Sequence, residues 1–310
     1  MIITKPKFWD EKIGIYSIIL FPFSLIILAY IFFKKKFTKK INFEIPVICV
    51  GNIYIGGTGK TPTSILLAKE LSRFGKKPVI VRKYYKSHKD EHELITANLN
   101  DLILKTKRVD GIKEAIKKNY NTIILDDGFQ EYKIKKKLSI ICFNKNQLVG
   151  NGLVIPSGPL RENLKSLIEA DIVLINGGNT NNFEKKILSI NKNLKIFYTF
   201  YKPLNIDEFK NKKLMALSSI GNPDNFFKLL GEQNLNIKKK LIFPDHFEFN
   251  EKQIQDIIFD AEKNDYHIIM TEKDYTKFKN YKSNRLNYLK VSLEFKNLEK
   301  FIQEVKEIYV

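Results

Sequence analysis

The chain has 310 residues, 44% of them hydrophobic and 12% aromatic, which excludes a disordered or low-complexity protein and allows two domains with cores of their own. Its 53 lysines and arginines against 34 acidic residues leave a formal net charge of +19, a balance that favours an anionic partner: nucleic acid, an acidic membrane surface or a phosphorylated substrate. Cys49 and Cys142 both sit in apolar runs (VICVG and LSIICF), the setting of buried strand thiols and not of a disulfide framework or a zinc site.

The first element is apolar throughout. Ile13 to Phe33, IGIYSIILFPFSLIILAYIFF, carries no charge over 21 residues, close to the ~20 that cross a bilayer. Pro22 is tolerable there as a kink. Lys34, Lys35, Lys36, Lys39 and Lys40 follow the run, so the positive-inside bias keeps the bulk of the chain in the cytoplasm, and the same lysines suit anionic lipid. Residues 1–40 are therefore expected to be a membrane anchor with a transmembrane helix over 13–33.

Strand and helix signals alternate after the anchor. PVICV (46–50) is an apolar, β-branched run stopped by Gly51. TSILLAKELSRFG places Ile65, Leu66, Ala68, Leu71 and Phe74 at helical spacing, with Gly75 as a stop. PVIVR (78–82), TIILD (122–126), LSIICF (138–143), DIVLI (171–175) and KIFYTF (195–200) predict further strands, with helical stretches such as DGIKEAIKK between them. This alternation predicts an α/β fold with a parallel sheet covered on both faces. From about residue 205 it restarts with LMALSSI, PDNFFKLLGEQ, LIF, EKQIQDIIFDAEK, YHIIMT, LNYLKVSLEF and a final helix. The expected domains are thus 41–205, carrying the larger sheet, and 206–310, a second and smaller α/β domain.

Between the first strand and its helix stands GNIYIGGTGKTP (51–62). A phosphate-binding loop brings backbone N–H groups to phosphate oxygens at a helix N-terminus. Gly56, Gly57 and Gly59, with Thr58 between them, allow that approach; Lys60 supplies charge and Thr61 a hydroxyl for Mg²⁺. The Walker pattern asks for a first glycine where this chain has Tyr54, so the first turn of the loop must differ while its phosphate-facing half is intact. A second apolar strand, TIILDDGFQ, delivers Asp126 and Asp127 to its C-terminal end, where a Mg²⁺-holding carboxylate belongs. Together these predict a nucleotide-binding domain of the P-loop NTPase type that works with Mg²⁺.

Beyond these local features, an ordered series of motifs covers nearly the whole chain: FPFSLI in the apolar segment, VGNIYIGGTGKTP, DDGFQ, GNG followed by PSGPLRE, IGNPDNFF, PDHFEF and TEKDYTKF. In this order the series resembles the tetraacyldisaccharide 4'-kinase family of lipid A biosynthesis, and the atypical turn at Tyr54 is similar to that family too. The resemblance implies ATP-dependent phosphorylation of the 4'-hydroxyl of a tetraacylated glucosamine disaccharide 1-phosphate, at the cytoplasmic face of the inner membrane. The anionic lipid then accounts for the basic charge; neither nucleic acid nor an oligomer is implied.

Roles follow from the resemblance residue by residue. Lys60 is expected on the β- and γ-phosphates, Thr61, Asp126 and Asp127 on Mg²⁺, and Gln130 beside them. Arg161 and Glu162 of GPLRE are placed near the site, Arg161 either neutralising transition-state charge or pairing structurally with Glu162. Asp90 is implied as general base and His246 of PDHFEF as its partner, reached from the other domain. The family's S-R-G-Y-like stretch is VRKYY here, and of a closing G-D-E-P only Asp90-Glu91 remain after a short loop. The competing reading is a membrane-anchored P-loop ATPase or GTPase without a lipid acceptor, distinguished by hydrolysis in the absence of lipid.

Overall fold

The computed structural model describes residues 5–309. In chain order the elements are α1 (Ile15–Phe37), β1 (Val47–Gly51), α2 (Lys60–Arg73), β2 (Pro78–Lys83), α3 (Lys89–Asn98), β3 (Leu102–Lys105), α4 (Arg108–Lys117), β4 (Thr122–Asp126), β5 (Leu138–Asn144), β6 (Ile172–Asn176), α5 (Asn181–Ile190) and β7 (Lys195–Pro203). They continue with β8 (Leu214–Ser218), α6 (Pro223–Glu232), β9 (Ile237–Ile242), α7 (Glu251–Lys263), β10 (His267–Thr271), α8 (Glu272–Tyr275), β11 (Leu286–Leu289), β12 (Val291–Phe295) and α9 (Leu298–Lys306).

Contacts divide the described residues into two units, with a break at 200/201 close to the expected boundary, but residues 85–98 and 293–309 each belong to the other unit than expected. The larger comprises 5–84, 99–200 and 293–309; the smaller comprises 85–98 and 201–292. This corrects the placing of Asp90, which lies in the same unit as His246 and not in the unit of the phosphate loop. The physical reason is local. The connection from β2 to β3, read from sequence as a short loop, contains α3, and α3 packs on α8 of the smaller unit.

The larger unit is built on an eight-stranded sheet of order β12-β7-β6-β5-β1-β4-β2-β3. Strands β1, β4, β5 and β6 are buried along their whole length, as expected for apolar runs in a parallel sheet covered on both faces. Strand β1 lies between β4 and β5, parallel to both, with Val50 opposite Asp126. The chain adds strands on one side of β1 and then crosses to the other, so the C-terminal end of β1 is a topological switch point, the place where open α/β sheets bind ligands. The last residue of β1, Gly51, has no room for a side chain: a Cβ there would collide with the Cβ of Phe129 in the DDGFQ turn.

Helix α1 belongs to this unit. By length and composition it is long and apolar enough to cross a membrane. Most of its large side chains are exposed, among them Ile15, Ile18, Ile19, Leu25 and Ile26, while Ile27 and Leu28 pack on the core of the unit.

The smaller unit holds a parallel four-stranded sheet of order β11-β10-β8-β9. Alternation along β8 sends Leu214 and Ala216 to one face, with Phe226, Phe227 and Leu230 of α6, and Met215 and Leu217 to the other, with Ile254 and Ala261 of α7. The run LNYLKVSLEF, read as one segment, divides between β11 of this sheet and β12 of the larger one.

Candidate active site

The loop from Asn52 to Gly59 connects β1 to α2, which starts at Lys60, three residues before the predicted helix. Gly59 is the N-cap in left-handed conformation, φ 90°, which glycine adopts without a Cβ penalty. The Asn52 amide donates to Thr58 Oγ1 (3.0 Å) and to the Gly56 carbonyl (3.3 Å), so the Thr58 side chain stiffens the loop from inside. Tyr54 explains the missing Walker glycine. Its ring is fully buried in the core cluster with Phe129 and Leu160, and its hydroxyl donates to Asp10 Oδ1 at 2.8 Å. The first turn of the loop is an anchor in the core instead of a free bend, and burial together with the Asp10 contact pushes the Tyr54 hydroxyl far up.

The two carboxylates at the end of β4 have different surroundings. Asp126 is fully buried, with Oδ2 accepting from Thr61 Oγ1 (3.0 Å) and from Arg82, and Oδ1 accepting from Ser64 Oγ (3.0 Å). Asp127, in left-handed backbone at φ 55°, keeps a partly open side chain. Arg161 donates to both its oxygens (2.9 and 3.1 Å), Lys60 Nζ lies 3.5 Å away, and Arg108 donates to its carbonyl (2.7 Å). Burial alone would raise the Asp127 carboxyl, but Lys60, Arg161 and Arg108 hold it well below the usual carboxylate range. For Lys60 burial lowers the ammonium and Asp127 partly offsets that fall.

Gln130 donates to the Asn52 carbonyl and to Glu162 Oε1, both at 3.1 Å. The other oxygen of Glu162 pairs with Lys35 at 2.7 Å. The structure thus brings Lys60, Thr61, Asp126, Asp127 and Arg161 together, with Gln130 and Glu162 bracing the loop behind them. Arg161 pairs with Asp127 and not with Glu162. Sequence reading missed Arg82, Arg108, Ser64 and Lys35. Arg82 did leave a signal, a lone charge at the end of the apolar run PVIVR, whose strand neighbours β4.

In the smaller unit, Asp90 stands in the first turn of α3 and is buried. Its oxygens lie 3.0 and 3.2 Å from His246 Nδ1. His246 takes the left-handed conformation, φ 57°, uncommon for a side-chain-bearing residue and a mark of functional sites when the surroundings enforce it. Lys273 and Lys277 each approach Asp90 to 3.5 Å. They are held by TEKDYTKF itself: Thr271 caps α8, and the fully buried Asp274 accepts from Thr271 Oγ1 (2.8 Å) and from the N–H and hydroxyl of Ser219. Burial would raise the Asp90 carboxyl, yet the His246 hydrogen bond and the two lysines hold it well below its ordinary range. Nδ1 of His246 thus faces the Asp90 carboxylate, while its Nε2 lies 3.8 Å from Glu91 Oε1 and from Asp245 Oδ2. His88, Glu91 and His246 offer three donor atoms within 4.8 Å of one another. The two imidazoles are stacked at 4.1 Å and 3°, so their in-plane lone pairs lie in parallel planes and do not converge on one ion.

Residues 16–308 match the family model described as tetraacyldisaccharide-1-P 4'-kinase. A tetraacyldisaccharide 4'-kinase of Pelagibacter ubique is 40% identical, with 99% of each chain covered. One of Francisella philomiragia is 34% identical, covering 93% of this chain and 98% of its own. The fold is similar to that of LpxK from Aquifex aeolicus crystallised with ATP, with a TM-score of 0.72 and 25% identity over 95% of this chain and 99% of that one.

Proposed function

Because the chain belongs to the tetraacyldisaccharide 4'-kinase family, whose members carry out ATP-dependent phosphorylation in lipid A biosynthesis, we propose how its own residues divide that reaction. Transfer forms a P–O bond to the sugar 4'-oxygen, breaks the bond to the ADP leaving group and releases the hydroxyl proton. The match disfavours the alternative of an ATPase or GTPase with no lipid acceptor.

Lys60 and Arg161 share one carboxylate, Asp127, as counter-ion. A polyphosphate offers both cations more negative charge than Asp127 does, so they turn to it and release the carboxylate. The Thr61 hydroxyl and the Asp126 and Asp127 carboxylates are hard oxygen donors lying together, a set that fits Mg²⁺. Both oxygens of Asp126 are engaged in fixing Thr61, Ser64 and Arg82, so Asp127 is the freer ligand. When bound, Mg²⁺ neutralises charge on the transferring phosphoryl group.

Proton acceptance falls to His246. The Asp90 carboxylate is already taken up by Nδ1, Lys273 and Lys277. In this reading Asp90 orients the ring, the reverse of the roles expected for this pair. The His246–Asp90 contact at 3.0 Å is the observation that carries the assignment. The exposed apolar side of α1 holds the enzyme at the membrane, and Lys34, Lys35 and Lys36 in its last turn favour the cytoplasmic face of the inner membrane.

The test is incubation of the purified full-length protein with ATP, Mg²⁺ and the tetraacyl disaccharide 1-phosphate, read by mass spectrometry. Wild type yields the bisphosphorylated lipid, and His246→Asn yields little while still binding ATP. Undiminished turnover by His246→Asn overturns the proton-acceptor role.

A further inference from the structure

Helix α1 is tied to the nucleotide-binding residues by polar contacts that membrane attachment does not require. Along its 23 residues the two buried side chains are both serines, Ser17 and Ser24. They stand two turns apart on one face. Ser24 Oγ donates to the Val154 carbonyl (2.7 Å), accepts from the Ser157 N–H (3.1 Å) and lies 2.9 Å from Ser157 Oγ. Ser17 Oγ accepts from the Asn151 amide (3.1 Å), which also donates to the Ser157 carbonyl (2.8 Å).

The residues flanking α1 grip the same loop. Trp9 Nε1 donates to the Pro156 carbonyl (2.9 Å), and the Trp9 carbonyl accepts from the Asn151 N–H (2.8 Å). Gly150, in left-handed backbone at φ 56°, leaves the room that this carbonyl occupies, since a Cβ there would meet it. At the far end of α1, Lys35 reaches the buried Glu162, the residue next to Arg161.

On its other side the loop is hydrogen-bonded to the phosphate loop. The Ile55 N–H donates to the Pro159 carbonyl (2.9 Å), and the Arg161 N–H to the Ile53 carbonyl (2.7 Å). Glu162 in turn holds Gln130, which is bonded to Asn52. A continuous set of bonds thus runs from α1, through residues 150–162, to Arg161 and Asn52.

We propose that Ser24 and Lys35 are positioning residues for phosphoryl transfer: they fix the 150–162 loop, and with it Arg161, so that the helix facing the lipid also sets the nucleotide site. The inference rests on the kinase reading above and extends it to how the membrane helix and the reaction are coupled. A helix that served only as an anchor would tolerate any apolar residue at position 24 and any cation, or none, at position 35.

The experiment compares full-length wild type with Lys35→Gln, Lys35→Arg, Ser24→Ala and, as control, Glu169→Gln, which removes only the exposed second partner of Lys35. Each is measured for vesicle flotation, thermal melting, ATP affinity, kcat and hydrogen exchange of the 150–162 amides. Lys35→Gln and Ser24→Ala are expected to keep vesicle binding and ATP affinity within about twofold while kcat drops about ten- to a hundredfold, the scale of a slightly displaced catalytic group. Exchange at 150–162 quickens in both, Lys35→Arg recovers most of the rate, and Glu169→Gln matches wild type. If Lys35→Gln instead loses vesicle binding, with kcat per bound enzyme and loop exchange unchanged, Lys35 is a lipid contact and the proposal falls. Failure of wild type to phosphorylate the lipid would overturn the kinase reading alone, because loop exchange is read without turnover.

Discussion

His246 Nδ1 meets both carboxylate oxygens of Asp90, at 3.0 and 3.2 Å, although 156 positions separate the two residues in the chain. Both lie in the smaller unit, so the pair is assembled without any movement of the larger one. Asp90→Asn keeps the shape of the contact and removes its charge. It should lower kcat by about 10²- to 10⁴-fold, the range for general acid–base groups, with little change in ATP affinity. The Asp90→Ala/His246→Ala double variant should be about as impaired as the worse single variant, because groups acting as a unit are not additive. Single-turnover rates check both; multiplicative losses would mean two separate roles.

The depressed Asp90 carboxyl makes a prediction about acid stability. In the unfolded chain it titrates near its ordinary value of 3.8, and in the native unit well below that. The native state therefore binds fewer protons here than the unfolded one. The contribution is fully present above the unfolded value and disappears as pH falls through the native one. Between about pH 5 and pH 3, Tm of wild type should decline more steeply than Tm of Asp90→Asn, which lacks this titration. Parallel curves would show that the lysines and His246 do not stabilise the charged carboxylate.

Asp127 neutralises Lys60 and Arg161 before nucleotide arrives. Without Mg²⁺, Asp127→Asn should bind ATP more tightly than wild type, by roughly three- to tenfold for one screened unit charge at a few ångströms. With Mg²⁺ the same variant should turn over far more slowly. Lys60→Ala should lose turnover by orders of magnitude and still fold. Calorimetry in EDTA and in Mg²⁺ separates the two effects of Asp127, and equal ATP affinity in EDTA would rule out the counter-ion role.

Restoring the Walker glycine at position 54 should harm the protein. Tyr54→Gly empties a fully buried ring site, a change on the order of the 3–5 kcal/mol lost on truncating a core aromatic to alanine. Tyr54→Phe keeps the ring and loses only the hydroxyl's hydrogen bonds with Asp10 and Lys5, about 1 kcal/mol each. Denaturant melts distinguish the two variants. A Tyr54→Gly protein as stable as wild type would mean that the first turn is a free bend after all.

Cys49 and Cys142 are both buried, and burial pushes their thiols up to about 11 and about 12. Neither should react with a thiol reagent at pH 8 in the native protein, and both should react after unfolding. Rapid labelling of either under native conditions would contradict their placement in β1 and β5.

What the sequence discloses is what depends on near neighbours. The apolar runs of β1, β4, β5 and β6 announce themselves because both faces of those strands are covered. The glycines and Lys60 between β1 and α2, and the acid pair after β4, are likewise complete within a dozen residues. Strand β3 is short and flanked by polar residues, so LILK carries no such pattern. Helix α3 is hidden because KDEHELITAN shows little apolar periodicity; its packing on α8 comes from far along the chain. The partners of the acidic pair are lost for the same reason. Arg82, Arg108 and Arg161 meet Asp126 and Asp127 only once β2 lies against β4 and the 150–162 loop lies beside the phosphate loop.

The interleaving of the two units has a consequence for how the protein is made. Residues 85–98 leave the ribosome about a hundred residues ahead of the sheet they belong to, since the rest of their unit begins at 201. During that interval β2 and β3 can pair while α3 has no α8 to rest on, and closing so long a loop is a slow, non-local event. The larger unit waits in its turn for β12 and α9, which follow residue 290. A nascent chain that has not reached His246 carries the glycine-rich loop after β1 without the His246–Asp90 contact. An interrupted chain therefore holds Lys60 and the acid pair after β4 in place, but not the contact that joins Asp90 to His246.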